Sequence, residues 1–386
     1  MIYSPEHPII DVSALPCFMT YQPLTISTPG RICLFGEHQD YLGLPVIAAA
    51  ISCRIQIAAE RTISQTVQLC LPDVNGSEQF SLADVPLTYQ HDRDYFRSAV
   101  NVLLRQGFQF SGGITGEVRG NIPINAGTSS SSALLISWLN VLTRLADNPQ
   151  ILAPTQLAEL AYEAEVLEFG EPGGMMDHYS TAVGGVIYLA SQPAIRLETY
   201  HPPLGTFVLG DSQEPKDTIG ILGRVKYGML RIIDQLTKLD PSFSLHTTSS
   251  TAIAEYKDVL PKDDYILLSG TMANRDLLRE ALTLLRATDG SLDDARFGRL
   301  LTEHHAHLRD AQRISTPKID RMLDAALTAG ALGGKINGSG GGGCLFVYAP
   351  NQPEDVAEAI EREGGRAYIV SVDTGTTSIE HEKMPV

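Results

Sequence analysis

The sequence is short of positive charge. Its 386 residues carry 29 lysines and arginines against 45 aspartates and glutamates, a formal net charge of −16. Nucleic-acid phosphates are held mainly by clustered Lys and Arg, so no nucleic-acid partner is expected. Long apolar runs are missing too: nowhere do about 18 apolar residues follow one another, the length a membrane-spanning helix needs, so no membrane partner is expected. The opening stretch MIYSPEHPIIDVSALP shows no basic start leading into an apolar run, which argues against a secretory leader. Cysteines are few and odd in number (Cys17, Cys33, Cys53, Cys70, Cys344), with no C-x-x-C pair. That usage suits a reducing compartment and neither a disulfide framework nor a zinc site; the protein is expected in the cytoplasm. The sequence also lacks internal repeats, a Pro- or Ser-rich linker and the G-x-x-x-x-G-K-[ST] pattern of a P-loop.

What is present is the composition of a folded protein, 43% hydrophobic and 19% charged, long enough for two or three domains at roughly 150 residues each. Three clusters of glycine, serine and proline stand out, at 29–45, 123–133 and 333–344, and each abuts an apolar run. A strand is predicted over 24–28 before the first cluster, and Val46-Ile-Ala-Ala-Ala-Ile51 with Arg54-Ile-Gln-Ile-Ala58 comes after it. The second cluster opens a helix with Leu134, Leu135, Trp138, Leu139, Leu142 and Leu145 at helical spacing. The third leads into the buried-strand pattern Cys344-Leu-Phe-Val-Tyr348. Further helices are expected over 154–169, 224–236, 274–287, 297–312, 318–329 and 353–363, and strands over 185–189, 206–209 and 366–371. Without regular strand-helix alternation, the pattern implies an α+β protein of layered sheets.

Each cluster has a chemistry that its residue types could perform. Gly338-Ser-Gly340-Gly-Gly-Gly343 satisfies G-x-G-x-x-G, but a helix precedes it and a strand comes after, the reverse of a dinucleotide fingerprint. So many glycines cost chain entropy on ordering, which points to close approach of backbone to a phosphate or a partner loop. In Pro123-Ile-Asn-Ala-Gly-Thr-Ser-Ser-Ser-Ser-Ala133, four serines stand at the positive end of a helix, more than capping requires; free amides, the dipole and hydroxyls there suit an anion or a Mg²⁺ ligand. Around Gly36-Glu-His-Gln-Asp-Tyr41, two carboxylates and an imidazole could bond a polyol from several directions, with Arg31 facing a phosphoryl group.

Together, in order and separation, the three clusters resemble the three motifs of the GHMP kinase superfamily. Thr28-Pro-Gly-Arg-Ile-Cys-Leu-Phe-Gly-Glu-His-Gln-Asp-Tyr41 is similar to the galactokinase signature PGRVNLIGEHTDY, residues 123–133 to P-x-x-x-G-L-S-S-S-A, and 335–344 to the glycine-rich third motif. Residues 297–310 and 314–320 also match galactokinase patterns, whereas Ile32-Cys-Leu-Phe-Gly-Glu-His38 and 45–52 resemble mevalonate kinase as well. The resemblance implies a two-domain α+β fold, with an N-terminal domain over 1–205, a C-terminal one over 206–386 and the active site in the cleft between them. It implies an ATP- and Mg²⁺-dependent kinase for a small-molecule sugar, galactose first, with another sugar or mevalonate, or a silent sugar and ATP sensor, as alternatives. The motifs do not distinguish a monomer from a dimer.

Residue by residue, the resemblance makes Asp177 the catalytic carboxylate and Arg31 the arginine that balances phosphoryl charge. Glu37, His38, Asp40 and Gly174 would hold the sugar, and Tyr227, displaced from the family's register, would stand in for its sugar-contacting tyrosine. Gly127, Thr128, Ser129, Ser130, Ser131, Gly338 and Gly340 would hold the nucleotide, and Ser131 and Glu165 the Mg²⁺. Helical geometry sets Glu165 roughly 80° from Leu157 on the apolar stripe of Leu157, Leu160, Ala161, Ala164 and Leu167, and Glu168 roughly 20° from it, so Glu168 stays a rival ligand. His304, His305 and His307 point in different directions along one helix and are expected to pack rather than bind metal.

Overall fold

The computed structural model describes residues 23–124, 126–215, 218–286 and 291–379. Cys17, the opening segment, Asn125 of the second cluster and Ala287 lie outside the described residues. The first half of the chain forms β1 (Leu24–Phe35), β2 (Val46–Thr62), β3 (Thr66–Leu71), β4 (Gly76–Ser81), α1 (Tyr95–Arg105), β5 (Gly113–Gly120), α2 (Ser130–Leu145), α3 (Pro154–Tyr162), α4 (Met176–Val183), β6 (Val186–Ala190) and β7 (Arg196–Tyr200). The second half adds β8 (Phe207–Asp211), α5 (Thr218–Leu239), α6 (Lys262–Leu285), α7 (Asp294–Asp310), α8 (Pro317–Thr328), β9 (Gly333–Ile336), β10 (Cys344–Tyr348), α9 (Pro353–Arg362), β11 (Arg366–Val370) and β12 (Thr377–Ile379). The fold is therefore α+β, with layered, mostly antiparallel sheets.

Two sheets organise the molecule. The larger runs β12-β1-β2-β5-β3-β4, with β6 and β7 branching from β2; the smaller runs β11-β8-β10-β9. β2 is long enough to serve both branches, pairing Val46–Ala49 with β6 and Ile55–Thr62 with β5. One core lies between the larger sheet and α1–α4, where Trp138 is fully buried and gives its indole N–H to Phe96 O at 3.1 Å. A second lies on the other face of β1 and β2, where Ile32, Leu34, Ile47 and Ala49 meet Phe207 and Phe346 of the smaller sheet and Phe297 of α7. A third fills the space between the smaller sheet and α8 and α9. Covered on both faces, the middle of β1 reads as a continuous apolar run, Ile-Cys-Leu-Phe, rather than an alternation.

The first strand runs further than the 24–28 predicted for it. β1 does not stop at Thr28 but continues through Pro29, Gly30 and Arg31, with register shifts at Pro29/Gly30 and Cys33/Phe35. Pro29 is tolerated because β12 pairs only Thr25–Ser27, leaving no strand there to want its missing N–H. The bulge re-aims Arg31, as bulges beside functional sites do.

Candidate active site

The site is assembled where the three clusters meet. Arg31, 3% exposed on the bulged β1, donates from Nε to Asp177 Oδ1 at 2.8 Å, brings Nη2 within 2.7 Å of the same oxygen, and bonds Gly127 O through Nη1. Its own amide donates to Thr128 O at 3.1 Å, so the first and second motifs are stitched side by side. Asp177 occupies the first turn of α4, where the helix dipole favours a carboxylate, and its side chain is still 34% open. Burial acts to raise the Asp177 carboxyl, but the Arg31 guanidinium, with His178 and Ser129, holds the group below the usual carboxylate range.

Asp40 stands near Asp177. Its Oδ1 accepts from the Tyr41 amide at 2.9 Å and Oδ2 from the Met176 amide at 3.3 Å. Burial, with Asp177 adding repulsion, pushes this carboxyl up to about 6. Gly174 abuts it so closely that a Cβ would lie 1.9 Å from Oδ2, which explains a glycine there. His38, at φ +59°, is tied on both sides: Nδ1 to Tyr41 Oη at 2.7 Å and Nε2 to Ser339 O at 3.1 Å. Burial brings it down to about 4, so it is neutral at pH 7; with Nε2 donating to the carbonyl, Nδ1 accepts from the tyrosine. Glu37 faces the third cluster, binding Lys335 Nζ and the Gly338 amide.

Tyr227 is not brought to this cluster: it is 59% exposed on α5. Its neighbour Lys226 comes in instead, with Nζ 5.5 Å from the Tyr41 ring centroid; burial lowers this amine while the Asp40 charge opposes the shift. Sequence reading missed Lys226 because a lone lysine in an amphipathic helix carries no signal of its own.

The second motif presents α2 end-on. Ser129 sits at the N-cap in the left-handed region, φ +61°, and its side chain accepts no helix N–H, so capping is not what the serines do. Gly127 and Gly338 press backbone on backbone: a Cβ on Gly127 would come within 2.7 Å of Asn337 O, and one on Gly338 within 2.8 Å of Gly127 O. Asn337 bridges all three motifs, accepting from the Cys33 amide at 2.9 Å and donating to Gly127 O at 2.8 Å. Gly340 continues the third loop at φ +79°, packed on Ile314.

Glu165, 7% exposed, accepts from Ser132 Oγ at 2.7 Å and bonds His178 Nε2 at 2.8 Å; burial acts to raise it, but His178, with Ser131 and Ser132, holds it below the usual range. Glu168 faces elsewhere, bonded to Tyr89 Oη and Arg105. The α-helical spacing that favoured Glu168 fails because residues Glu163–Leu167 form a π turn, closed by Glu168 N to Glu163 O at 2.9 Å. The extra residue in that turn rotates the remainder of the helix by about 100°, one residue's step. Leu167, expected on the apolar stripe, is 59% exposed for the same reason. Ser131 and Glu165 thus offer adjacent oxygens, the donor type Mg²⁺ takes. Among the described residues no group of three or more His, Cys, Asp or Glu is placed to hold a metal. His304 stacks on Phe35, with centroids 5.8 Å apart, and His305 bonds the Ile336 amide and Asp320.

Known families match along the same segments. The galactokinase galactose-binding signature matches residues 18–61, the GHMP kinases N terminal domain 94–185, and the GHMP kinases C terminal domain 279–368. The chain belongs to the GHMP kinase superfamily. GHMP kinases are ATP-dependent phosphotransferases acting on alcohols. This GHMP kinase is 27% identical over 362 residues to the mevalonate kinase of Thermococcus onnurineus, covering 92% of this chain and 97% of that one. It is 28% identical over 352 residues to the galactokinase of Pyrococcus furiosus, covering 88% and 93%. Its fold matches Lactococcus lactis galactokinase complexed with galactose at TM-score 0.80 (21% identity, 92% and 95% covered). Against Methanococcus jannaschii mevalonate kinase the TM-score is 0.71 (20% identity, 92% and 100% covered).

Proposed function

We propose that this GHMP kinase transfers the γ-phosphoryl group of ATP to a monosaccharide hydroxyl, with galactose to galactose 1-phosphate as the first reaction to test. The observation that carries the reading is Arg31 bound to Asp177 near Asp40 and also to Gly127 O and Thr128 O, the residues that lead into the uncapped N-terminus of α2. Amides of the first α2 turn, with Ser129 and Ser130, hold the phosphates, and Gly127, Thr128 and the Gly338–Gly340 backbone shape the loop. Ser131 and Glu165 would hold Mg²⁺, which supplies charge neutralisation on the phosphates.

Asp177 orients the acceptor hydroxyl and takes its proton as the new O–P bond forms and the bond to the leaving ADP oxygen breaks, the electron pair departing with ADP. An ionised, weakly basic aspartate suffices, since phosphoryl transfer passes through a loose transition state in which positioning and charge matter more than early proton removal. Arg31 neutralises the charge that gathers on the transferred group. Asp40 accepts hydroxyl hydrogen bonds from the sugar. The galactose-binding signature over residues 18–61 supports a sugar, while relatives named mevalonate kinase supply the second reading. Purified protein with Mg²⁺ and ATP is offered galactose, arabinose, fucose, glucuronate, a heptose phosphate and mevalonate. Turnover of mevalonate alone overturns the sugar assignment. Sugar binding with no turnover of any acceptor turns the reading to a sensor.

A further inference from the structure

Two neighbouring residues at the start of α4 reach two different walls of the site. Asp177 binds Arg31, and His178, one step of about 100° further round the helix, meets Glu165 with Nε2 at 2.8 Å. Ser132 Oγ donates to the same carboxylate oxygen, Oε2, at 2.7 Å, so two groups fix one oxygen and with it the plane of the carboxylate. Ser131 reaches that carboxylate as well. The imidazole is itself held: it is 2% exposed, and Tyr162, the last residue of α3, packs edge-on against it with ring centroids 5.7 Å apart. The π turn that carries Glu165 begins at the next residue, Glu163.

The other ring nitrogen shows what the imidazole is for. Nδ1 is buried and has no hydrogen-bond partner among the described residues. An orphaned buried polar atom costs stability, and an apolar side chain would fill the same space without it. A histidine that stands here despite that cost therefore acts through Nε2. A neutral imidazole with its N–H at Nε2 donates to Oε2, the arrangement by which an outer partner orients a metal-binding carboxylate. We infer that His178 is a positioning residue for the divalent cation, its Nε2–H acting with Ser132 to hold Glu165 turned toward Ser131. Because Asp177 and His178 are neighbours, one helical turn sets both the carboxylate that orients the acceptor and, through Glu165, the one that holds the cation. This inference rests on Ser131 and Glu165 as the cation ligands of the proposed kinase.

The test is the affinity of the protein for Mn²⁺, read by electron paramagnetic resonance with a non-hydrolysable ATP analogue present, a measurement that needs no acceptor turnover. His178→Leu removes the donor, and His178→Gln replaces it with an amide N–H of similar reach. His178→Leu is expected to weaken Mn²⁺ binding at least about tenfold and His178→Gln less than about threefold, while binding of the analogue in EDTA moves less than about threefold for both. Equal weakening by the two variants overturns the inference, since the shape of the ring and not its N–H would then matter. So does a loss of metal-free analogue binding as large as the loss of Mn²⁺, which would mark a collapsed loop. A His178→Leu protein that holds Mn²⁺ like the parent, while Glu165→Gln loses at least about tenfold, overturns the role of His178 alone. If Glu165→Gln itself leaves Mn²⁺ affinity unchanged, the cation assignment fails and the inference falls with it. Should His178→Leu not fold, His178→Asn, whose shorter amide does not span to Oε2, decides in its place with the same expected loss.

Discussion

Burial of the Asp40 carboxylate costs stability, and the amount can be worked from its surroundings. Its carboxyl titrates at about 6 in the folded chain against an ordinary 3.8, burial being the largest cause and Asp177 the next. The folded state therefore keeps the proton to higher pH than the unfolded one. The stabilisation from holding that proton is complete below about pH 4 and lost as pH rises through 6, leaving a cost near neutrality. At about 1.4 kcal/mol per pH unit the displacement amounts to at most roughly 3 kcal/mol. Asp40→Asn removes that cost but turns an N–H toward the Met176 amide, sacrificing the 3.3 Å bond there, worth about 1 kcal/mol. The variant should be more stable than the parent at pH 8 by about 2 kcal/mol. With an unfolding entropy of roughly 2.1 cal/mol/K per residue, that shifts the midpoint by about 2 to 3 °C. Thermal unfolding of both proteins from pH 8 to pH 4 should show the gap closing below pH 6, while acceptor binding by the variant is lost at every pH. A variant less stable at pH 8, or a gap independent of pH, would refute the reasoning.

Three further outcomes are expected. Asp177→Asn should lower kcat at least about a hundredfold while ATP binding, measured by calorimetry, changes little; an equal loss in binding would make Asp177 a structural partner of Arg31 only. Glu165→Gln should raise the Mg²⁺ concentration giving half-maximal rate by at least roughly tenfold, and Glu168→Gln by less than about threefold; the opposite order in a Mg²⁺ titration would restore Glu168 as the ligand. Gly174→Ala should drive the Asp40 carboxylate from its place and raise the acceptor KM about tenfold or more, with the KM for ATP held, as steady-state kinetics would show.

Several parts of this protein were legible before any coordinates. The apolar spacing after Ser132 gave α2, and Cys344-Leu-Phe-Val-Tyr348 gave β10 to the residue. The run of serines exceeded what a cap uses, and Ser129 indeed caps nothing. The density of glycine in the third cluster implied close backbone approach, which the Gly127–Gly338 contact realises. Where reading by rule failed, a regular period was interrupted locally. A bulge carried β1 past Thr28 through the Pro-Gly pair that opens the first cluster, and a π turn rotated the helix after Glu163, exchanging the places of Glu165 and Glu168.

The sequence alone determined which chemistries were available: local spacing, composition and the order of three motifs are written along the chain and need no long-range information. Only the tertiary structure decided who partners whom. Nothing along the chain pairs Glu37 with Lys335, which arrives beside it from 298 positions away, or shows that α5 leaves Tyr227 59% exposed while Lys226 reaches the Tyr41 ring. Such choices depend on burial and on encounters between distant segments, and neither leaves a period or a spacing in the sequence.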